Sequence, residues 1–296
     1  MRRGFANLFV VYVVWGSTYL AIRIAVRGET GFPPFTLGAL RLLAAGTALL
    51  AWEALRGRRL RLSRSEVATL AAAGLLMWVG GNGLVNWAER RADSGYAALL
   101  VGALPIWMAV LEALLDRRRP TWRFVASLLV GFAGLSLLTV PRLAGAEAAD
   151  AASIAALLFA PLLWAMGAAL QTRRPVPASP VLATAYLHLF GALGFAIAAL
   201  ALGERLGRPS AGAWGALAYL TVAGSMVAFT SFVRALRALP TRVVMTYAYV
   251  NPIIAVLLGA VVLSEQVSAW TAGGTALVLA GVWGVMRSRS HRENTA

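Results

Sequence analysis

The chain has 296 residues, of which 59% are apolar and 13% charged, yet its formal net charge is +15. Average soluble proteins carry roughly 45–50% apolar and about 25% charged residues, so too little polar surface remains to coat a soluble body and a bilayer has to cover the rest. The balance excludes a soluble enzyme and a disordered chain, and the absence of Cys excludes a disulfide scaffold, a thiolate metal site and a Cys nucleophile.

A helix crossing a hydrocarbon core of roughly 30 Å needs about 20 mainly apolar residues. Stretches of that kind are expected over 5–26, 34–55, 66–86, 94–115, 121–140, 150–171, 179–202, 211–233, 240–263 and 268–287. No segment alternates in the manner of an outer-membrane barrel strand. The first stretch follows Met1-Arg2-Arg3 and has the outline of a signal peptide. Its length and the lack of a small-x-small cleavage site after Arg23 make it the first span instead. Links such as Arg56-Gly57-Arg58-Arg59 and Gly207-Arg208-Pro209 carry breakers and charge. None of them could hold a soluble domain.

Orientation follows from the basic residues, all 27 of which are Arg. With the ends numbered alternately, 19 Arg fall on the side of the N-terminus and six on the other, while Arg23 and Arg41 lie inside spans. The positive-inside rule puts the richer side, with both termini, in the cytoplasm. In a soluble chain the same excess would point to nucleic acid; here it reports topology. The basic loops could also bind anionic lipid. Helix pairing and oligomeric state leave no mark in the sequence.

An internal repeat follows. Pro105 and Pro252 lie 147 residues apart, Trp122 and Trp270 148, Gly134 and Gly281 147, and Trp15 and Trp164 149. A near-constant offset of half the chain predicts duplication into residues 1–145 and 146–296, with five spans each. Five is odd, so the halves enter the membrane upside down relative to each other, as in secondary transporters whose site sits between the halves. Chance matching in an Ala/Leu/Gly-rich sequence is the competing account. The expected fold is an all-α polytopic membrane protein of ten transmembrane helices, built as two inverted five-helix repeats.

Val14-Trp15-Gly16-Ser17-Thr18-Tyr19 resembles the opening motif of the EamA-type family of the drug/metabolite transporter superfamily. Ala235-Leu236-Arg237-Ala238-Leu239-Pro240, Tyr249-Val250-Asn251-Pro252, Glu265, Gly273-Gly274 and Ala280-Gly281-Val282 are similar to its second repeat. The first repeat departs from this, with Asp116-Arg117-Arg118-Arg119 in place of the acid. The resemblance covers essentially the whole chain. It implies a transporter of amino acids or other metabolites, usually an exporter, in the bacterial inner membrane, with no cofactor.

Candidate site residues follow from what hydrocarbon tolerates. Pro105 and Pro252 each remove a backbone donor and free the carbonyl four residues earlier, at Val101 and Ala248. They are either bent helices lining a central path or plain packing kinks. Trp78, Asn82 and Asn86 recur every fourth residue on one helical face. Two amides are unsuited to lipid, which leaves cavity lining or bonding between packed helices. Tyr247 and Asn251 repeat that spacing, and Trp15 shares a face with Tyr19, near Thr18, with Trp164 as repeat partner. Mid-span Trp is unusual, since Trp favours the interface. Such a set would wall a cavity for a small amphipathic or aromatic solute, or simply pack a core. Arg41 either guides an anionic group or bonds backbone carbonyls. His188, the one in-span residue with an ordinary titration range near neutrality, is either a proton-coupling group or a satisfied core histidine.

The leading reading is therefore a transporter of a small-molecule solute by alternating access, lying in the bilayer without nucleic acid or metal. A non-transporting scaffold or receptor is the second reading. An intramembrane enzyme is the third, and it lacks a paired-His motif, a Gly-x-Ser-x-Gly elbow and a close pair of in-span acids.

Overall fold

The computed structural model describes residues 1–26, 30–88, 99–117, 119–143, 151–263 and 269–288. Among the described residues every regular element is a helix. In chain order they are α1 (Arg2–Val26), α2 (Pro34–Leu55), α3 (Arg64–Ala88), α4 (Leu99–Asp116), α5 (Trp122–Leu143), α6 (Ala151–Arg173), α7 (Pro180–Ala201), α8 (Ala211–Ala238), α9 (Tyr247–Leu263) and α10 (Ala269–Arg287). A single turn, Thr241–Val244, leads into α9. Eight of them, α2 to α8 and α10, are long and apolar enough to cross a membrane. Of the other two, α1 opens with Arg2 and Arg3 and α9 has 17 residues.

Local chemistry sets the ends. Pro34 and Pro180 occupy the first turns of α2 and α7, where the missing N–H has no partner to lose. The hydroxyls of Ser63 and Ser210 accept hydrogen bonds from Glu66 N at 3.3 Å and Ala213 N at 3.2 Å, capping α3 and α8. At Ser63 the cap is reciprocal, because its own N–H donates to Glu66 Oε2 at 2.6 Å. Beyond α2 and α7 the chain reverses through Gly57 (φ +66°) and Gly203 (φ +65°), a left-handed conformation that glycine adopts without strain. The middles of α3 and α8 widen into π turns over Leu75–Gly83 and Leu220–Phe229. The prolines and the glycines are each 146 residues apart, and the serines 147.

Packing is pairwise. α2 lies along α7 and α5 along α10; α3 packs on α6 as α8 packs on α1, and α4 packs on α6 as α9 packs on α1. Carboxylates join the ends of the first pair. Glu204, just past α7, accepts from Phe35 N (3.2 Å), Thr36 N (2.7 Å) and Thr36 Oγ1 (2.8 Å) at the start of α2. Glu53, near the end of α2, accepts from Ser179 Oγ (2.8 Å) at the start of α7, and Arg58 pairs with it at 3.3 Å. Between α5 and α10 the backbones themselves meet: a Cβ on Gly281 would stand 2.5 Å from Gly131 Cα, and one on Gly134 2.6 Å from Val278 N. Small residues permit this approach, which supplies packing where hydrophobic association is weak.

The main core gathers Met77, Trp78, Phe195, Phe229 and Phe232 with Trp15 and Tyr247. A second, of Phe124, Leu128, Tyr249 and Val278, fills the space between α5, α9 and α10.

Candidate functional site

α1, α2, α3, α4, α6 and α9 surround a cavity of about 140 Å³. Drug-sized sites run from roughly 300 to 1,000 Å³, so this one suits a small metabolite. Its wall is aromatic. Trp15 stands edge-on to Trp164, with ring centroids 5.9 Å apart, and to Tyr247, at 4.8 Å. Trp164 stands edge-on to Trp78 at 5.6 Å. These T-shaped contacts are the preferred geometry of rings with negative faces and positive edges. Trp15 Nε1 donates to the Gly224 carbonyl at 3.1 Å, which fixes its ring against α8. Among the described residues the buried indole nitrogens of Trp78 and Trp164 have no acceptor and the buried Asn251 side-chain oxygen has no donor.

Arg41 supplies the cavity's charge. It is 8% exposed, its Nε donates to Ser225 Oγ at 2.7 Å, and its guanidinium carbon lies 5.5 Å from the centroid of Trp78. Ser225 itself belongs to the π segment of α8. Among the described residues no carboxylate pairs with Arg41: the ion pairs found are Arg58–Glu53 and Arg173–Asp116.

The structure thus brings Trp15, Thr18, Arg41, Trp78, Asn82, Trp164, Tyr247 and Asn251 onto one lining. Other expected residues lie elsewhere. Asn86 is half-buried off the lining; Val85, three residues beyond Asn82, takes that place on α3. The side chain of Tyr19 lies outside the described residues. His188 is fully buried behind Trp78, 5.2 Å from it and 4.7 Å from Phe229 between ring centroids. The Thr184 and Ser225 carbonyls are near its ring, but neither ring nitrogen makes a well-formed hydrogen bond.

The two prolines differ from each other, and only Pro105 departs from the expected in-helix position. Pro252 sits inside α9, with Ala248 on the lining. Pro105 is no mid-helix kink: a turn at Gly102-Ala103 breaks α4, and Pro105 occupies the first turn of the segment that follows. A proline there removes no interior hydrogen bond, and the turn itself puts Val101, Gly102 and Leu104 on the lining. Pro161, inside α6 and on the lining, is an in-span proline visible in the sequence but absent from the expected set. Ser225, Phe229 and Phe232, which support the site, carry no local mark that distinguishes them from core residues. Among the described residues no group of three His, Asp or Glu could hold a metal. The cavity can hold an apolar body against indole faces and meet a polar or negative group with Arg41 and Asn82.

The model of the EamA-like transporter family matches residues 2–140 and 151–287. The chain is 34% identical over 259 residues to the uncharacterized inner membrane transporter YedA of Escherichia coli, covering 86% of this chain and 81% of that protein. Over a shorter stretch it is 29% identical to a probable terminal-alkyne amino-acid exporter of Streptantibioticus cattleyicolor, across 133 residues that cover 45% of this chain and 43% of that one. A solved crystal structure shares the fold at a TM-score of 0.81 and 22% identity, with 99% of each chain covered.

Proposed function

The chain belongs to the EamA-like transporter family, and on that premise we propose that it is a secondary transporter that exports amino acids or small amphipathic or aromatic metabolites by alternating access. The observation that carries this reading is the aromatic cavity, whose walls come from both halves of the chain: Trp15, Arg41, Trp78 and Asn82 from the first, Trp164, Tyr247 and Asn251 from the second.

Ten spans arranged as two inverted repeats, 1–145 and 146–296, complete the proposal. Two independent observations support it. Helix-end chemistry recurs at one offset, in Pro34 and Pro180, Gly57 and Gly203, Ser63 and Ser210. The most extensive helix contacts also have counterparts five helices on: α3 with α6 answers α8 with α1, α4 with α6 answers α9 with α1, and α2 with α7 and α5 with α10 answer themselves. A two-fold axis between the halves generates that pattern. The Arg bias supports cytoplasmic termini, and the name of the Escherichia coli relative supports an inner membrane. The Streptantibioticus relative favours export and amino-acid cargo.

Purified protein in proteoliposomes should release amino acids or aromatic metabolites that empty liposomes retain. Asn82→Leu, which swaps a lining amide for a hydrocarbon of similar volume, should cut that flux about tenfold or more while leaving expression intact. Unchanged flux in the variant would remove this cavity from the transport path.

A further inference from the structure

A second cavity, of about 320 Å³, lies where α3 begins and α6 ends. Thr69 and Leu70 of α3, Gln171 of α6, Arg174 beyond it, and Val233 and Arg237 of α8 contribute to its wall. The same helices α3 and α6 line both cavities. Beside the first cavity lie side chains that are all 0% exposed: Met77 from α3, and Phe229 and Phe232 from α8, whose rings stand 5.2 Å from Trp78 and 6.3 Å from Trp164 between centroids. Gln171 reaches from the second chamber to this group, donating to Met77 Sδ at 3.1 Å.

The charge on the two walls has one sign. Arg41 lines the first chamber, Arg174 and Arg237 line the second, and among the described residues neither wall carries a carboxylate. Arg237 is held by backbone, donating from Nη1 to the Ala178 carbonyl at 2.7 Å. Arg41 is held at Nε by Ser225, and among the described residues no carboxylate forms an ion pair with its guanidinium. A guanidinium largely withdrawn from water and without a counter-ion among the described residues is a costly arrangement. A ligand carboxylate relieves it with a charge-assisted, planar pair of hydrogen bonds. A cationic solute would instead meet like charge in both chambers and no acid among the described lining residues to offset it, which is selection by repulsion as well as attraction.

We propose that the solute carries a carboxylate and no net positive charge, that Arg41 binds this carboxylate in the central cavity, and that Arg174 and Arg237 gather anions at the other end of the same path. The inference rests on the transporter reading and narrows its substrate class. The rings of Trp15, Trp78 and Trp164 take the apolar body, while the carboxylate reaches Arg41 above Trp78.

Three matched solutes test it in proteoliposomes: phenylpyruvate, phenylalanine and phenylalaninamide share a benzyl group but carry net charges of about −1, 0 and +1 near neutral pH. The two carboxylates should move at least about tenfold faster than the amide. Arg41→Gln should abolish that preference, whereas Arg61→Gln, in an exposed loop, should keep it. If Arg41→Gln fails to elute as a folded species, Arg237→Gln serves. It should raise the half-saturating concentration of phenylpyruvate about threefold or more and leave the maximal rate unchanged, as loss of a collecting charge requires. Phenylalaninamide moving as fast as the carboxylates, or a wild-type preference in Arg41→Gln, would overturn the proposal while the transporter reading stands. No movement of any of the three would overturn the transporter reading as well.

Discussion

Glu204 offers the clearest quantitative test of how the helices are joined. The cap residue of α2 is Pro33, whose side chain can accept nothing, and Pro34 follows it. The two N–H groups after that, on Phe35 and Thr36, therefore depend on the Glu204 carboxylate, which also takes the Thr36 hydroxyl. Losing a side-chain cap costs about 0.5–2 kcal/mol, and an anion at a helix N-terminus adds about 0.3–1 kcal/mol. Because Glu204 is partly exposed, water replaces some of what is lost, and the total for Glu204→Ala should be about 2 kcal/mol. Glu204→Gln retains one acceptor oxygen without the charge and should lose about half of that. For a chain of this size 1 kcal/mol corresponds to roughly 2–4 °C in Tm. Tryptophan-fluorescence melts in detergent should then show a fall of roughly 4–8 °C for the alanine variant and about half that for the glutamine. Melts within about 1 °C of wild type for both would refute the idea that this carboxylate holds α2 to α7. Equal falls would refute the division between charge and acceptor.

Other expectations follow from the same geometry. Gly281→Ala puts a methyl into the Gly131 backbone and should cost about 1–3 kcal/mol, read as a lowered Tm, whereas Gly215→Ala, with open space around it, should not lower it. Tyr249→Phe removes the 3.0 Å bond from the phenol to the Leu128 carbonyl in a fully buried site, and should cost about 1 kcal/mol on the same assay. His188 is sealed behind Trp78 and Phe229, so the pH profile of flux between about 6 and 8 should keep its shape in His188→Gln. A profile that flattened in that variant would restore His188 as a proton-coupling group.

Much of this architecture was legible because the sequence states it in local chemistry. Prolines and glycines fixed the ends of α2 at the expected residues, 34–55. Trp15 and Trp164, paired by the repeat, meet edge to edge. Of the residues on the amide spacing, Trp78 and Asn82 share one lining and Asn86 lies off it. What escaped was non-local or subtle. The widening of α3 and α8 into π turns leaves no apolar period to read. Glu53 and Glu204 look like ordinary end-of-helix acids until the fold brings Ser179 and Thr36 to them. At Pro105 the proline was the visible breaker, yet the adjoining Gly102-Ala103 makes the turn. The recurrence of Ser63 at Ser210 was open to inspection and would have sharpened the repeat.

The contact between α5 and α10 has a mechanical consequence. Interfaces made of interlocking side chains have alternative rotamer sets, and helices slide over one another by exchanging them. Where Gly134, Gly274 and Gly281 lie, much of the contact is main chain against main chain, with few rotamers to exchange. Two rods joined in that way share one bending stiffness and turn as a single beam. The rearrangement proposed for this cavity would then carry α5 and α10 together, while the aromatic contacts of α1, α3, α6 and α8 are made by side chains that have rotamers to exchange.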